Sequence, residues 1–191
     1  MDLAIAHFLN QLGRGVIDPF TDLVCAVPLL VALWVALVLL ALRLDRDNGR
    51  RVAATVLLAV ALHFLISEAI LKHLVLAELP MRVRPYLAHP DEIVPVGHRF
   101  TDSSFPSSHA ASTAAIVTVL GHAYRRFAAA GALFALVMCF SRVHNGMHYP
   151  TDVLTGTLLG VAYGALAIRG AAAFVAARAR RQPKAEAALP A

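Results

Sequence analysis

Two short runs of the chain hold residues able to do phosphoryl chemistry: Ser141 to Asp152 reads Ser-Arg-Val-His-Asn-Gly-Met-His-Tyr-Pro-Thr-Asp, and Phe105 to His109 reads Phe-Pro-Ser-Ser-His. Asp152 follows His148 by four residues, which places it one helical turn away on the same face. There it would hold one imidazole nitrogen and leave the other free to attack. Arg142 offers a planar fork of donors matched to phosphate oxygens. His109 is a second imidazole and a candidate proton donor. The chemistry these types imply is phosphoryl transfer through a histidine nucleophile, with no metal and no other cofactor called for. The rival arrangement, a metal held by His144, His148 and Asp152, would set a cation beside Arg142, which opposes it.

With Arg84-Pro85 upstream, the order of these runs resembles the type 2 phosphatidic acid phosphatase superfamily, which includes membrane lipid phosphatases and vanadium-dependent haloperoxidases. Its signatures are Lys-x6-Arg-Pro, Pro-Ser-Gly-His and Ser-Arg-x5-His-x3-Asp. Ser141, Arg142, His148 and Asp152 match the third in full, and Pro106, Ser107 and His109 match the second, with Ser108 where the family usually has Gly. Of the first, Arg84 and Pro85 are present, but the lysine position falls on Ala77 and the nearest lysine, Lys72, stands five residues further upstream. The resemblance implies His148 as nucleophile, His109 as acid and base, Asp152 as the orienting group, and Arg84, Arg142, Ser107 and Ser108 as phosphate ligands. Lys72 and Arg82 join them here as candidate contacts to a second, inner phosphate. A serine at Ser108 costs little if its backbone φ is negative and is strained otherwise.

The run from Arg84 to His89 and the stretch from Asp102 to His109 look like bacterial undecaprenyl-diphosphate phosphatases, which often lack the same lysine. That likeness implies undecaprenyl diphosphate as substrate. Phosphatidylglycerophosphate, phosphatidic acid and lipid A phosphatases share the catalytic residues and are the alternatives. A non-catalytic lipid-binding protein is the reading from another class, and the presence of both His109 and His148 disfavours it.

These residues must be positioned by membrane helices. In a chain of 191 residues, 59% are hydrophobic and the mean hydropathy is +0.66, more than a soluble core requires. Leu23 to Leu42 is an uncharged run of the length that crosses a bilayer core. Further spans are expected over Val52 to about Leu76, His109 to about Tyr124, Phe127 to Phe140 and Val153 to Ile168. The fold expected is therefore an all-α, multi-pass membrane bundle of five spans. Ile5, Phe8, Leu9 and Leu12 recur at helical spacing and predict a short N-terminal helix lying in the interface. No basic region precedes that stretch, so a cleavable signal peptide is not expected. Cys25 and Cys139 sit in apolar runs, where a thiol packs as a small hydrophobe.

From Glu78 to Ser108 the chain is polar and carries Pro80, Pro85, Pro90 and Pro95, which predicts a long loop over the site. The phosphatase domain is placed at residues 1–177, with residues 178–191 a basic, disordered tail. Arg43, Arg46, Arg50 and Arg51 fill one connector, Arg125 and Arg126 another, and Arg169, Arg178, Arg180, Arg181 and Lys184 the C-terminal flank. The positive-inside rule makes these cytoplasmic and puts the motifs on the outer face of a bacterial cytoplasmic membrane. The partners expected are a lipid phosphate or diphosphate and membrane lipids, with no nucleic acid.

Overall fold

The computed structural model describes residues 1–75 and 80–181, and the side chains among them except those of residues 72–75 and 181. Among these residues there is no strand. The helices are α1 (Asp2–Gln11), α2 (Asp18–Cys25), α3 (Val27–Leu44), α4 (Gly49–Leu62), the one-turn α5 (Pro85–Ala88), α6 (Ser108–Ala123), α7 (Ala128–His144) and α8 (Pro150–Arg181). A π-helical segment, His63–Val75, carries α4 onward. Such winding is rare, and short stretches of it occur frequently at functional sites.

Among the described residues four helical segments are long and apolar enough to cross a membrane: Val27–Leu44, Gly49–Leu71, Arg125–His144 and Pro150–Arg180. The fifth expected crossing, α6, has 16 residues and rises about 24 Å, less than a bilayer core of about 30 Å. The apolar run from Leu23 is divided at Ala26, whose extended backbone separates α2 from α3. Pro28 is the cause: inside a helix its ring would clash with the carbonyl one turn earlier, so the helix restarts around it. At the other end, α8 runs to Arg181, past the boundary expected after Ala177.

α6 packs along the N-terminal half of α8. Gly156, Gly160 and Gly164 recur on one face of α8, and a Cβ added at Gly160 would overlap the Ala111 carbonyl oxygen. Small residues in that rhythm let backbones approach closely in a solvent that supplies no hydrophobic drive. Val52, Val56 and Ala59 of α4 join Ala115, Ile116 and Val119 of α6 and Tyr163 and Ala167 of α8 in the main core. Leu29, Val31, Val35 and Leu39 of α3, Leu133 and Leu136 of α7, and Leu154 and Leu158 of α8 are exposed, as side chains facing lipid would be.

The bundle has two chemically distinct ends. The Tyr124 hydroxyl donates to Asp45 at 3.1 Å, which ties the basic α3–α4 connector to the basic α6–α7 connector. At the opposite end the start of α3, the start of α6, the end of α7 and the start of α8 come together beneath the loop of residues 80–107. That loop contains only α5. α1 lies at this end, with Ile5, Phe8 and Leu12 exposed and Ala6 and Asn10 buried.

Candidate active site

His148 leaves α7 through a turn that requires glycine. Gly146 has φ +72°, and a Cβ there would stand 2.8 Å from Ile93 Cγ2. The turn returns the chain so that the His148 ring, 3% exposed, lies between two guanidinium groups. Its Nε2 is 3.3 Å from Arg84 Nη1 and 3.3 Å from Arg142 Nη2. Its Nδ1 is 2.7 Å from the Ser104 carbonyl oxygen. Guanidinium groups only donate and a carbonyl only accepts, so the proton sits on Nδ1 and the Nε2 lone pair faces the arginines. Burial first, then the charges of Arg142 and Arg84, hold the His148 pKa well below the usual imidazole value. The ring is therefore neutral at physiological pH, as a nucleophile must be.

The expected role of Asp152 on Nδ1 is corrected by this geometry. Its Oδ2 is 3.7 Å from His148 Nδ1, beyond a hydrogen bond, and instead accepts from the Tyr149 backbone N–H at 2.8 Å. Oδ1 pairs with Arg82 Nη1 at 2.5 Å. The backbone oxygen of Ser104 occupies the place expected for the carboxylate, and the Asp152 carboxyl group stands close by. Both Nη groups of Arg82 reach carboxylates, the second being Asp2 at 2.5 Å. The Lys72 side chain and Ala77 lie outside the described residues.

Arg84 and Arg142 are 4% and 2% exposed, and each guanidinium stands 5.4 Å from the Phe100 ring. Asp102 takes Arg84 Nη2 at 2.7 Å, and the Met147 carbonyl accepts from Nη1 at 3.1 Å. The Arg142 fork is less committed. Among the described residues neither Arg142 Nε nor Ser107 Oγ, both buried, has a hydrogen-bond partner. Buried donors of this kind are costly unless something accepts from them.

Ser107 caps α6 with extended backbone, and its N–H donates to the Asp152 carbonyl at 3.1 Å. Ser108 begins the helix, and no non-glycine residue among those described has a positive φ. The serine in place of glycine is thus unstrained, and its hydroxyl donates to Glu68 in the π-helical segment. His109 follows, with Nε2 3.2 Å from the Cys25 carbonyl and its ring edge-on to Phe100 at 6.1 Å. A cavity of about 550 Å³ adjoins Arg142, lined also by Asp22, Cys25, Pro28, His98 and Phe100.

His144, named above as a rival metal ligand, is buried. Its Nδ1 donates to the Leu9 carbonyl at 2.9 Å and its Nε2 is 2.8 Å from Asp18 Oδ1. Those partners turn it away from His148, and among the described residues no three His, Cys, Asp or Glu side chains gather as a metal-binding group. The sequence reading missed Ser104, Asp102, Asp2 and Asn10. Only Asp102 offered a signal, as the acid nearest the Pro-Ser-Ser-His run.

Residues 52–175 match the PAP2 superfamily. A decaprenylphosphoryl-5-phosphoribose phosphatase of Mycolicibacterium smegmatis is 45% identical over 84 residues, which cover 43% of each chain. The undecaprenyl-diphosphatase BcrC of Bacillus subtilis is 34% identical over 86 residues, 45% of this chain and 44% of that one. The chain thus spans less than half the length of these curated relatives. Among solved structures, LpxE of Aquifex aeolicus superposes with a TM-score of 0.70 at 21% identity, over 88% of this chain and 94% of that one. A transmembrane PAP2-type phosphatidylglycerolphosphate phosphatase of Bacillus subtilis does so with a TM-score of 0.63 at 19% identity, over 96% and 87%. These two likenesses concern the fold.

Proposed function

The chain belongs to the PAP2 superfamily, and from that premise we propose that it is an integral-membrane lipid phosphatase working through a phosphohistidine on His148, with undecaprenyl diphosphate as substrate. The observation that carries the reading is the buried, neutral His148 whose Nε2 faces Arg84 and Arg142 while Nδ1 is tied to the Ser104 carbonyl. A terminal phosphoryl group entering beside Nε2 would draw both guanidinium forks onto its equatorial oxygens, where charge grows during transfer. Ser107 Oγ and the first N–H groups of α6 add donors from the opposite side. Ser108 is a further phosphate ligand once its hydroxyl turns from Glu68.

In the first step the Nε2 lone pair forms a bond to phosphorus, the bond to the leaving oxygen breaks, and His109 gives that oxygen its proton. The imidazolium so formed keeps its Nδ1 proton on Ser104, with the Asp152 carboxylate close by. Water then attacks phosphorus, its proton passes to His109, and the P–N bond breaks to release inorganic phosphate and restore His148. No step calls for a metal or another cofactor.

Placing the site on the outer face rests on the basic connectors, which lie at the other end of the bundle. The cavity beside Arg142 is the space into which the rest of the headgroup fits. A second reading has its own support: with Arg82 committed to carboxylates, the argument for an inner-phosphate contact weakens. The relative named for decaprenylphosphoryl-5-phosphoribose then favours a prenyl-linked phosphate monoester. Phosphate release by the purified chain in detergent with excess EDTA decides, using undecaprenyl diphosphate, decaprenylphosphoryl-5-phosphoribose, phosphatidic acid, phosphatidylglycerophosphate and lipid A. The highest kcat/KM on undecaprenyl diphosphate, with inhibition by vanadate, is the expected result. Release of phosphate only when Mg²⁺ or Zn²⁺ is restored would overturn the mechanism. A best rate on a glycerolipid phosphate would overturn the substrate class.

A further inference from the structure

The N-terminal helix reaches the catalytic segment through charged groups that the reaction itself does not use. Asp2 accepts from Arg82 Nη2 at 2.5 Å, from the Thr151 hydroxyl at 2.6 Å and from the Thr151 N–H at 3.2 Å. Arg82 Nη1 donates to Thr151 Oγ1 at 2.8 Å and to Asp152 at 2.5 Å. The same guanidinium lies 4.5 Å from the centre of the Tyr149 ring. Asp2, Arg82 and Thr151 thus close a ring, and Asp152 hangs from it, fully buried and 3.7 Å from His148 Nδ1. Burial pushes the Asp2 carboxyl up, but the bonds from Thr151 and Arg82 outweigh it and hold its pKa below the ordinary carboxylate value, so Asp2 is charged at neutral pH.

The far end of α1 is held as firmly. Asn10 is buried and spans two segments of the site end: its amide donates to the His144 carbonyl at 2.6 Å and to the Val94 carbonyl at 2.9 Å, and its oxygen accepts from the Val94 N–H at 3.1 Å. α1 is thereby fixed across the end of α7 and the start of α8, the two elements that flank His148. A helix serving only as a membrane foot would not require a buried amide at one end and an ion-pair ring at the other.

We propose that Asp2 and Arg82 are positioning residues for phosphoryl transfer: α1 holds Arg82 through Asp2, and Arg82 holds the Asp152 carboxylate at the distance from which it balances the charge formed on His148. The proposal rests on the histidine-nucleophile reading above. A carboxylate buried without Arg82 would lose its charge or turn onto Nδ1 and displace the Ser104 carbonyl, and either change alters the ring that attacks. Arg82 touches Asp152 and not the phosphate, so its loss acts on turnover and leaves substrate binding alone.

The test uses the full-length protein in detergent, with Asp2→Asn, Arg82→Gln, the double variant and Arg82→Lys, each assayed on the best lipid phosphate for the wild type. Arg82→Gln should lower kcat by about 10- to 100-fold while KM stays within about threefold. Asp2→Asn should lower kcat by about 3- to 10-fold, and the double variant should be no worse than Arg82→Gln, because the residues act as one chain. Arg82→Lys should recover part of kcat by restoring the cation without the fork. In histidine-labelled protein the ¹⁵N resonances of the His148 ring should move in Asp2→Asn, a readout that holds whether or not any lipid is turned over. Unchanged His148 resonances with unchanged kcat would overturn the proposal, as would additive losses in the double variant. A raised KM at constant kcat in Arg82→Gln would also overturn it, since that result puts Arg82 on the substrate. Failure of the wild type to release phosphate from any lipid would sink the functional reading, while the resonances would still judge the positioning chain. If Arg82→Gln does not fold, Asp2→Asn and Arg82→Lys carry the same comparison.

Discussion

At the scale of single residues, the tautomer of His148 is the decisive feature, and it follows from the chemistry of its partners. Two cations that can only donate share Nε2, and a backbone oxygen that can only accept takes Nδ1. His148→Ala should lower kcat by about 10⁴-fold or more, since it removes the proposed nucleophile, with folding checked by an unchanged melting temperature. Asp152→Asn should be milder, about 10- to 100-fold, because the Ser104 carbonyl still orients the ring. The His148 pKa, depressed by burial and then by Arg142 and Arg84, also fixes a sign. In the proposed mechanism the neutral ring is the reactive form, and it persists on acidification until pH falls through that lowered value. The acid limb of kcat/KM should therefore lie below the ordinary imidazole value of about 6.5 in the wild type. It should shift upward in Arg84→Gln, where one of the opposing charges is gone. The same depression makes the folded state lose stability as pH drops below the ordinary imidazole range, because the unfolded chain then binds the proton more readily.

At the scale of elements, the contact between α6 and α8 sets where Ser107 and Asp152 meet. Gly156 approaches the Ser107 carbonyl so closely that an added Cβ would lie only 2.5 Å from its oxygen, and Gly160 stands closer still to the Ala111 carbonyl. Backbone cannot yield as a flexible side chain does, so a larger residue must push the helices apart. Gly160→Val should destabilise by about 1–3 kcal/mol or more, read as a lower melting temperature in detergent, and should cost activity by moving Ser107 from Asp152. Gly170→Ala, whose added Cβ would meet only Leu58 at 3.7 Å, should leave both near the wild-type values. The pairing of Glu68 with Ser108 ties the π-helical segment to the start of α6, at the position where the family signature has glycine.

At the scale of the whole molecule, charge is divided between the two ends of the bundle: arginine-rich connectors at one, the His148 site at the other. An outer-facing site predicts that a cysteine at Arg99, exposed on the loop, reacts with an impermeant maleimide in intact cells in a background lacking Cys25 and Cys139. A cysteine at Asp47, exposed in the α3–α4 connector, should react only after the membrane is opened. The reverse pattern would place the site in the cytoplasm. Gly97 and Gly49 are poorer probes: a side chain would collide with the Asp22 carboxylate in the first and with the Ala41 carbonyl oxygen in the second.

Motif order and the family resemblance it carries pointed to Arg84, Ser107, His109, Arg142, His148 and Asp152, and the structure brings Arg84, Arg142 and Asp152 around the buried His148 ring. Hydropathy was enough to outline an all-helical membrane bundle, since the cost of exposing polar groups to lipid is written into composition. The partner of each polar atom was settled only by packing. A backbone carbonyl such as that of Ser104 has no signature in residue type, so the group that orients His148 could not be read from the chain. The i to i+4 spacing of His148 and Asp152 suggested a bond along one helix, but His148 stands ahead of α8, which begins at Pro150, and the two groups are 3.7 Å apart. Asp2 meets Thr151 across 149 positions of sequence, and Asn10 meets His144 across 134. Contacts at such separations arise when helices are laid side by side, and the geometry of that packing decides which of many polar residues become neighbours.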